Sequence, residues 1–394
     1  MLYAGKLVRQ SLPTAAAPAR WEDTGLRPQD VVDLCPRMPQ AVDSPEEGAA
    51  IAHKVLTAMG MVRDFAPLVL MAGHGSQSAN NAHAAGLDCG ACGGQTGEVN
   101  ARAFADLLNT PAVRQHLDTL GIALGTTHFV PGLHNTTTDE VVLFDTQRVP
   151  ATHAGHLQRL RRALDAAGDR ARAERAPTLG LVPLAAKPAA LVRALRERAN
   201  DWAQVRPEWG LANNAAFIVA PRTRSQHLNL GGRAFMHDYD HRLDPDGAVL
   251  TLVMTAPMVV TNWINLQYHA STVDNRRYGS GNKLLHNVVG GRLGVFEGNG
   301  GDLRIGLPMQ SLHDGEHLRH TPLRLSVFIE APREAIDAVM AQHAVVRHLI
   351  GAGWMHLFWL EPQGVGVAQW WRGKWLDVRG EQAAAVDRQV GLPA

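Results

Sequence analysis

Cysteine is scarce in this chain, with three residues in 394. Three thiols cannot form the disulfide framework of a small secreted domain, so we expect a reducing, cytoplasmic setting. Neither sign of charge is in excess, because the formal net charge is +1 at pH 7. So small a net charge gives no strong field toward nucleic acid or an anionic membrane, and we expect no nucleic-acid partner.

A long uninterrupted apolar run is also missing. The longest candidate, residues 248–266, is interrupted by Pro257, Asn262 and Asn265, so we interpret it as a buried strand–turn–helix rather than a bilayer span. The N-terminal residues contain no sustained apolar core, and no signal peptide is predicted. Residues 1–45 contain several prolines and no periodic element, which is typical of an irregular lead-in segment.

Hydrophobic residues are plentiful, at 45% of the sequence, which is enough for a full globular core. Helix and strand patterns alternate over residues 46–175 and predict an α/β fold, with a mostly parallel sheet flanked by helices. Residues 176–394 are expected to form an additional C-terminal α+β region. The arginine-rich helix predicted at 153–175 is expected to present its charges to solvent.

The stretch after the first predicted strand contains the best candidate metal ligands. An apolar run at 65–72 predicts a buried strand that ends at Gly-His-Gly, residues 73–75, and a Gly-rich loop with Cys89 and Cys92 follows. Imidazole and thiolate are zinc ligands, and the flanking glycines leave space around them. His74 and Cys89 are therefore candidate ligands; the alternative is that His74 caps the strand and Cys89 is a small buried hydrophobe.

Other types of site fit these residues less well. The pair Cys89 and Cys92 has the spacing of a zinc knuckle or a redox dithiol, but no second such pair exists to complete a four-thiolate site. Nothing in the surroundings of Cys35 marks it as a ligand. Ser76 follows Gly-His-Gly, yet it lacks the G-x-S-x-G elbow of a serine hydrolase, so a nucleophilic serine is a weak hypothesis.

Several long motifs together resemble the DabA family. They are GHGSQSANN, LDCGACGG, HNTTTDEV, DWAQVRPEWGLANNAAFIVAPR, APMVVTNWINLQYHASTVDN and YGSGNKLLHNVVG. The resemblance implies a zinc-binding subunit of a bacterial inorganic-carbon uptake complex, with a core similar to a β-carbonic anhydrase. It also implies a peripheral location on the cytoplasmic face of the inner membrane, and a DabB-like proton-conducting membrane subunit as partner.

The resemblance also implies the chemistry, which is zinc-dependent hydration of CO2 to bicarbonate made directional by an ion gradient. The family's Zn2+ is held by two Cys, one His and one Asp. His74 matches the zinc histidine and Cys89 matches the second zinc cysteine, whereas Cys92 lies in the motif without being a ligand.

One family motif is missing from this sequence. The first zinc cysteine and the aspartate lie in a C-I-D-x-R-S-E-type motif, and the nearest stretch, residues 32–37, has the wrong order. The chain therefore resembles the C-terminal half of such a protein. Because catalytic zinc needs three protein ligands, we expect this chain alone to bind zinc weakly and to be inactive as an enzyme. A separate N-terminal half would complete the site; the alternative is a non-catalytic assembly module for the membrane subunit.

Overall fold

The computed structural model describes residues 44–79, 96–201, 203–204, 208–279, 306–307 and 309–378. These residues form two compact units. The first unit takes the described residues up to Gly210 apart from 57–60, and the second takes those from Leu211 onward together with 57–60.

The first unit is built on a three-stranded sheet. Its elements are α1 (Pro45–Ala58), β1 (Leu68–Gly75), α2 (Glu98–Asn109), α3 (Pro111–Thr119), β2 (His128–Asn135), β3 (Glu140–Leu143), α4 (Ala154–Arg175) and α5 (Pro188–Asn200). The strand order is β1-β2-β3, with β1 parallel to β2 and β3 antiparallel to β2. α1 begins where the sequence predicts, because the Ser44 hydroxyl accepts the Glu47 N–H at 3.2 Å.

Two apolar clusters stabilise the first unit. Leu56, Leu108 and Phe129 are fully buried where α1 and α2 pack on the sheet, and each such side chain contributes about 1.5–3 kcal/mol when fully buried. The second cluster includes Leu191 and Leu195 of α5, which pack against the residues after α4. α5, which we expected in the C-terminal region, thus lies in the first unit.

The second unit contains a larger mixed sheet. Its elements are β4 (Ala216–Ala220), β5 (Ala234–Asp238), α6 (Ala248–Thr255), α7 (Pro257–Val273), α8 (Asn275–Tyr278), β6 (Leu325–Glu330), α9 (Arg333–Gln342), α10 (Ala344–Gly351), β7 (Met355–Leu360), β8 (Val367–Trp371) and β9 (Lys374–Asp377). The strand order is β5-β4-β6-β7-β8-β9, parallel up to β7 and antiparallel from β7 to β9. Val219, Val327 and Leu357 are fully buried at its centre.

Both units are mixed sheets flanked by helices, so the expected α/β class is confirmed. The strands are parallel, as expected, in the β1-β2 pair and in the β5-β4-β6-β7 part of the second sheet. By contrast, β3, β8 and β9 run antiparallel to their neighbours. The carbonic-anhydrase-like character of the core stays a prediction.

The strand–turn–helix interpretation of residues 248–266 is wrong, because this segment is helical on both sides of a break. The backbone departs from helical geometry at Ala256, with φ −120° and ψ −77°, and Pro257 begins α7. Proline is tolerated at the first position of a helix, where its missing N–H costs nothing. The proline therefore starts a second helix rather than a turn.

His320 is a buried histidine in the second unit, with only 1% of its surface exposed. Its Nδ1 accepts the Asn213 backbone N–H at 2.9 Å, and its ring centroid lies 5.2 Å from that of Tyr268. Burial, together with smaller effects of His269 and Arg233, lowers the His320 pKa to about 4. A proton on Nδ1 would also displace the Asn213 N–H, so the neutral ring belongs to the folded state.

We expect the second unit to lose stability in mild acid. An unfolded histidine has a pKa of about 6.5, so between pH 6.5 and about 4 the unfolded chain binds a proton that folded His320 does not. The free energy of unfolding should fall across this window by about 2 kcal/mol, after allowance for solvent screening. Urea unfolding of wild type and His320→Gln at neutral and mildly acidic pH measures this contribution; His317→Gln, an exposed histidine, is the control. If the free energy of unfolding fell equally in acid for all three proteins, the expected contribution of His320 would be contradicted.

Candidate functional site

His74 lies at the carboxyl end of β1, next to a second histidine. In the parallel pairing of β1 with β2, His74 is in register with His134 and Gly75 with Asn135. Residues in register on neighbouring strands point to the same face of the sheet. His74 is exposed and His134 is half-buried, so two imidazoles occupy one face at the edge where ligands of α/β sheets usually bind.

The backbone of β1 contacts the start of α2 at the histidine. The Gly97 N–H donates to the His74 carbonyl at 2.8 Å. A Cβ atom on Gly73 would lie 2.3 Å from the Gly97 carbonyl oxygen, and one on Gly97 would lie 2.8 Å from the Gly73 Cα. Only glycine at both positions permits this approach. The positive end of the α2 dipole therefore lies beside the histidine, where it favours an anion or a thiolate.

His134 is held by charged side chains of its own hairpin and of α4. Its Nε2 lies 3.2 Å from Asp139 Oδ1, and the other carboxylate oxygen of Asp139 lies 2.6 Å from the Arg175 guanidinium. A carboxylate on the far nitrogen of an imidazole fixes the ring's orientation. The pairing of Asp139 with both partners thus orients the imidazole next to His74.

The chain after His74 is tied to the HNTTTDEV motif by side-chain hydrogen bonds. The Gln77 backbone N–H donates to the Thr137 hydroxyl at 2.9 Å, and the Asn135 amide donates to Gln77 Oε1 at 3.0 Å. Asn135 Oδ1 also accepts the backbone N–H of Thr137 at 3.1 Å. On its other side, the Gln77 amide donates to Asn200 of α5 at 2.7 Å. These bonds hold Gln77 against the HNTTTDEV motif and α5.

The arginine-rich helix α4 is more than the solvated face that we expected. Arg172 is 5% exposed and donates to the carbonyls of Thr138 and Asp139 at 3.0 and 3.1 Å. Gly168 allows the same approach, because a Cβ there would lie 2.4 Å from the Asp139 carbonyl oxygen. The rest of the helix remains largely exposed. The expectation is therefore wrong for its C-terminal half, which binds the motif loop.

Arg172→Met is expected to lower the free energy of unfolding by about 2–3 kcal/mol. The change leaves two inward-facing carbonyls without their charged donor, and unsatisfied buried polar groups are costly. Arg170→Met on the same helix is the matched control, because Arg170 is exposed, and it should stay within about 0.5 kcal/mol of wild type. Urea unfolding measures both variants; equal stabilities would contradict the assigned role of Arg172.

A buried ion cluster anchors α2 behind the site. Glu98 is 1% and Arg102 5% exposed, and their side chains lie 3.0 Å apart. Arg102 also lies 3.0 Å from Asp145 and contacts the face of the Phe144 ring. Buried charges are stable only when paired and hydrogen-bonded. The cluster therefore fixes α2, and Gly97, which directly precedes α2, donates its N–H to the His74 carbonyl.

The structure describes one of the two predicted zinc ligands. His74 is at a strand end as expected, whereas Cys89, together with Cys92 and Cys35, lies outside the described residues. Among the residues that the structure does describe, no cluster of three His, Cys, Asp or Glu side chains could hold a metal. An exposed imidazole at the end of a parallel strand suits a zinc ligand, and the zinc site stays a prediction. His134 and Gly97 were not identified as site residues from the sequence. The HNTTTDEV motif contains His134, whereas none of the quoted motifs contains Gly97.

The fold and site define an α/β protein with a histidine pair at the carboxyl edge of a parallel strand pair. The sequence matches the family described as "Probable inorganic carbon transporter subunit DabA" over residues 1–355. The chain belongs to this family. The match also covers the residues before Ser44, where the motifs had given no resemblance.

Curated relatives support the assignment. The chain is 56% identical over 374 residues to a "Probable inorganic carbon transporter subunit DabA" of Methylovorus glucosotrophus, and 61% identical over 316 residues to that of Ectopseudomonas mendocina. These alignments cover 92% and 80% of this chain but 44% and 39% of the relatives. The chain thus spans less than half of the relatives' length. No solved structure matches it.

Proposed function

We propose that this chain is the C-terminal portion of an inorganic-carbon uptake subunit that contributes His74 and Cys89 to a zinc site for CO2 hydration. The observation that supports this most directly is the position of His74, an exposed imidazole at the carboxyl end of β1 beside His134. The remaining ligands, a cysteine and an aspartate, would come from a separate N-terminal portion of the protein.

The one-sided pairing of β1 supports the proposal that a further strand pairs with it. Within the described residues, β1 pairs with β2 on one side only, and Ala72 and His74 are exposed on one of its faces. Parallel strands are normally buried on both faces and paired on both sides, and an open strand edge invites another strand. The strand that completes the zinc site would add at this edge and place its ligands next to His74.

Bound zinc would supply a Lewis acid that activates water for attack on CO2. The chain's own residues would orient and position the two histidines. Asp139 and Arg175 orient His134, Gly73 and Gly97 hold the His74 backbone against α2, and the start of α2 favours negative charge at the site. With two ligands of its own, the chain would not catalyse hydration by itself.

The relatives' description as a transporter subunit supports a membrane-bound complex. We propose a DabB-like proton-conducting membrane subunit as the partner, with this chain peripheral on the cytoplasmic face of the inner membrane. The coupling of the two would make CO2 hydration directional.

Zinc analysis of a reconstituted complex tests the proposal. The chain is co-expressed with a segment bearing the missing Cys-x-Asp-x-Arg motif, and zinc in the purified complex is measured by mass spectrometry. We expect about one zinc per complex, because the two portions together would supply at least the three protein ligands that a catalytic zinc needs. We also expect rescue of growth in air of a carbonic-anhydrase-deficient bacterium when the membrane subunit is present. A complex without stoichiometric zinc would refute the metal site.

A second function is an assembly module that binds the membrane subunit without metal chemistry. The relatives' description as a transporter subunit is compatible with such an assembly role. In that case the complex with the membrane subunit would form at full yield without zinc, and growth rescue would not depend on His74.

A further inference from the structure

Four polar side chains are buried together in the second unit, near the amino ends of β4 and β6. They belong to Asn214, which precedes β4, to Asn262 and Asn265 of α7, and to His320, which precedes β6; none is more than 5% exposed. Three residues apart on a helix, the two asparagines of α7 lie on one side of it. The Asn265 amide donates to the Asn214 carbonyl at 3.1 Å, and the N–H of the adjacent Asn213 donates to His320. We name these four side chains the Asn262 cluster.

Most polar atoms of the Asn262 cluster lack a hydrogen-bond partner. Within the described residues, no hydrogen bond reaches six of its buried atoms, which are both amide atoms of Asn214 and of Asn262, Oδ1 of Asn265 and Nε2 of His320. Buried polar groups in folded proteins are almost always hydrogen-bonded. Left unsatisfied, these atoms would cost a free energy comparable with the whole stability of a domain. We therefore expect a bound molecule to satisfy them.

The hydrogen-bonding roles of two of these atoms are fixed. Asn265 uses its amide nitrogen on the Asn214 carbonyl, so its free Oδ1 is an acceptor. His320 accepts the Asn213 N–H at Nδ1, so its neutral ring carries the proton on Nε2, which is a donor. The side-chain amides of Asn214 and Asn262 each offer a donor and an acceptor. A molecule that satisfies the cluster must therefore both accept and donate hydrogen bonds.

This combination of roles disfavours simple ions. A metal cation would meet the Nε2–H of His320, and chloride or nitrate would leave the Asn265 oxygen unpaired. The nearby charge is positive, because Arg233 donates to the Asn213 carbonyl at 3.0 Å and helps to lower the His320 pKa. None of the four side chains of the cluster is acidic. A small oxyanion that keeps a hydroxyl group meets all of these conditions.

We propose that the Asn262 cluster binds bicarbonate. The two anionic oxygens would accept from Nε2 of His320 and from the Asn262 amide, and the hydroxyl would donate to Oδ1 of Asn265. The choice of bicarbonate among hydroxyl-bearing oxyanions rests on the proposed function, which has bicarbonate as its product. The cluster lies wholly in the second unit and His74 in the first, so this site is distinct from the zinc site. Bound bicarbonate would stabilise the second unit.

Calorimetric titration of the full chain with sodium bicarbonate at mildly alkaline pH tests the proposal. Sodium nitrate at the same ionic strength is the reference, because nitrate has the same planar shape and charge but no hydroxyl. We expect saturable bicarbonate binding, about tenfold tighter than that of nitrate, which leaves a buried acceptor unpaired. Asn262→Leu should weaken bicarbonate binding about tenfold, since it removes a hydrogen bond to a charged group. Bicarbonate should raise the Tm of wild type and not that of this variant.

Two controls separate this site from other effects. Gln267→Leu removes an exposed side-chain amide from the same helix, and His74→Ala removes the proposed zinc ligand from the first unit. Both should bind bicarbonate as wild type does, so this proposal and that of the zinc site can fail separately. Asn214→Ala is a second variant of the cluster, for use if Asn262→Leu does not fold, and it should weaken binding to a similar extent.

The proposal is overturned by any of three results. If bicarbonate does not bind saturably, water satisfies the cluster. If nitrate and bicarbonate bind equally well, the cluster holds an adventitious ion only. If Asn262→Leu binds bicarbonate as wild type does, or His74→Ala alone loses binding, bicarbonate binds elsewhere on the chain.

Discussion

His74→Ala should strip the zinc from the complex of this chain with the segment that bears the missing ligands. The imidazole is one of four expected protein ligands, and its loss would leave the site without its only histidine. Replacement of groups that only orient a ligand already weakens metal binding by 10- to 100-fold. We therefore expect loss of a direct ligand to weaken zinc binding by at least about 100-fold and to abolish growth rescue.

Zinc content and growth rescue are measured for His74→Ala and for the control variant His128→Gln. His128 lies on β2 at the end opposite His134 and is partly buried like it, so this variant controls for loss of an imidazole from the same sheet. It should retain zinc and rescue growth. Unchanged zinc in the His74→Ala complex would show that the histidine is no ligand, whereas lost rescue with retained zinc would assign it another role.

Gly73→Ala should cost the first unit about 2–4 kcal/mol of its free energy of unfolding. The new Cβ would lie 2.3 Å from the Gly97 carbonyl oxygen. That oxygen belongs to the backbone at the start of α2, so no side chain can rotate away, and strand and helix must separate. The Gly97 N–H bond to His74 would lengthen, and zinc binding should weaken together with stability.

Gly155→Ala is the matched control, because no atom lies within 4 Å of a Cβ at this position in α4. It should be neutral or stabilise slightly, since alanine lowers the entropy of the unfolded chain. Urea unfolding compares the two variants with wild type. Wild-type stability of Gly73→Ala would mean that the close approach of β1 and α2 is not needed.

Local chemistry made much of the first unit predictable. The Ser44-Pro45-Glu46-Glu47 start of α1 combines a hydroxyl cap, a proline at the first position and early acids, and each acts within one turn. The strand before His74 was predicted from its apolar run, although it extends through Gly75. Such signals depend on near neighbours in sequence, so one sequence suffices to find them.

Non-local contacts account for what was missed. Arg172 of α4 looked like one of many solvated charges, because its acceptor, the Thr138 carbonyl, lies 34 residues earlier in the chain. The α6–α7 segment looked like a strand and a helix, since its first half is rich in Val, Leu and Thr. Packing against the second sheet makes both halves helical. Cys89 was a candidate ligand from its chemistry, whereas the further cysteine and the aspartate expected at the site could be named only through the family resemblance.

The pairing of β1 with β2 also has a consequence for the order of folding. Gly75 accepts the Thr136 N–H across 61 residues of sequence, and the Gln77 N–H reaches the Thr137 hydroxyl across 60. Contacts so distant in sequence must first overcome the entropy of closing a long loop, and they form late. The edge that carries His74 would thus become ordered only after α2 and α3 have folded, so the zinc site proposed there would form at the end of folding.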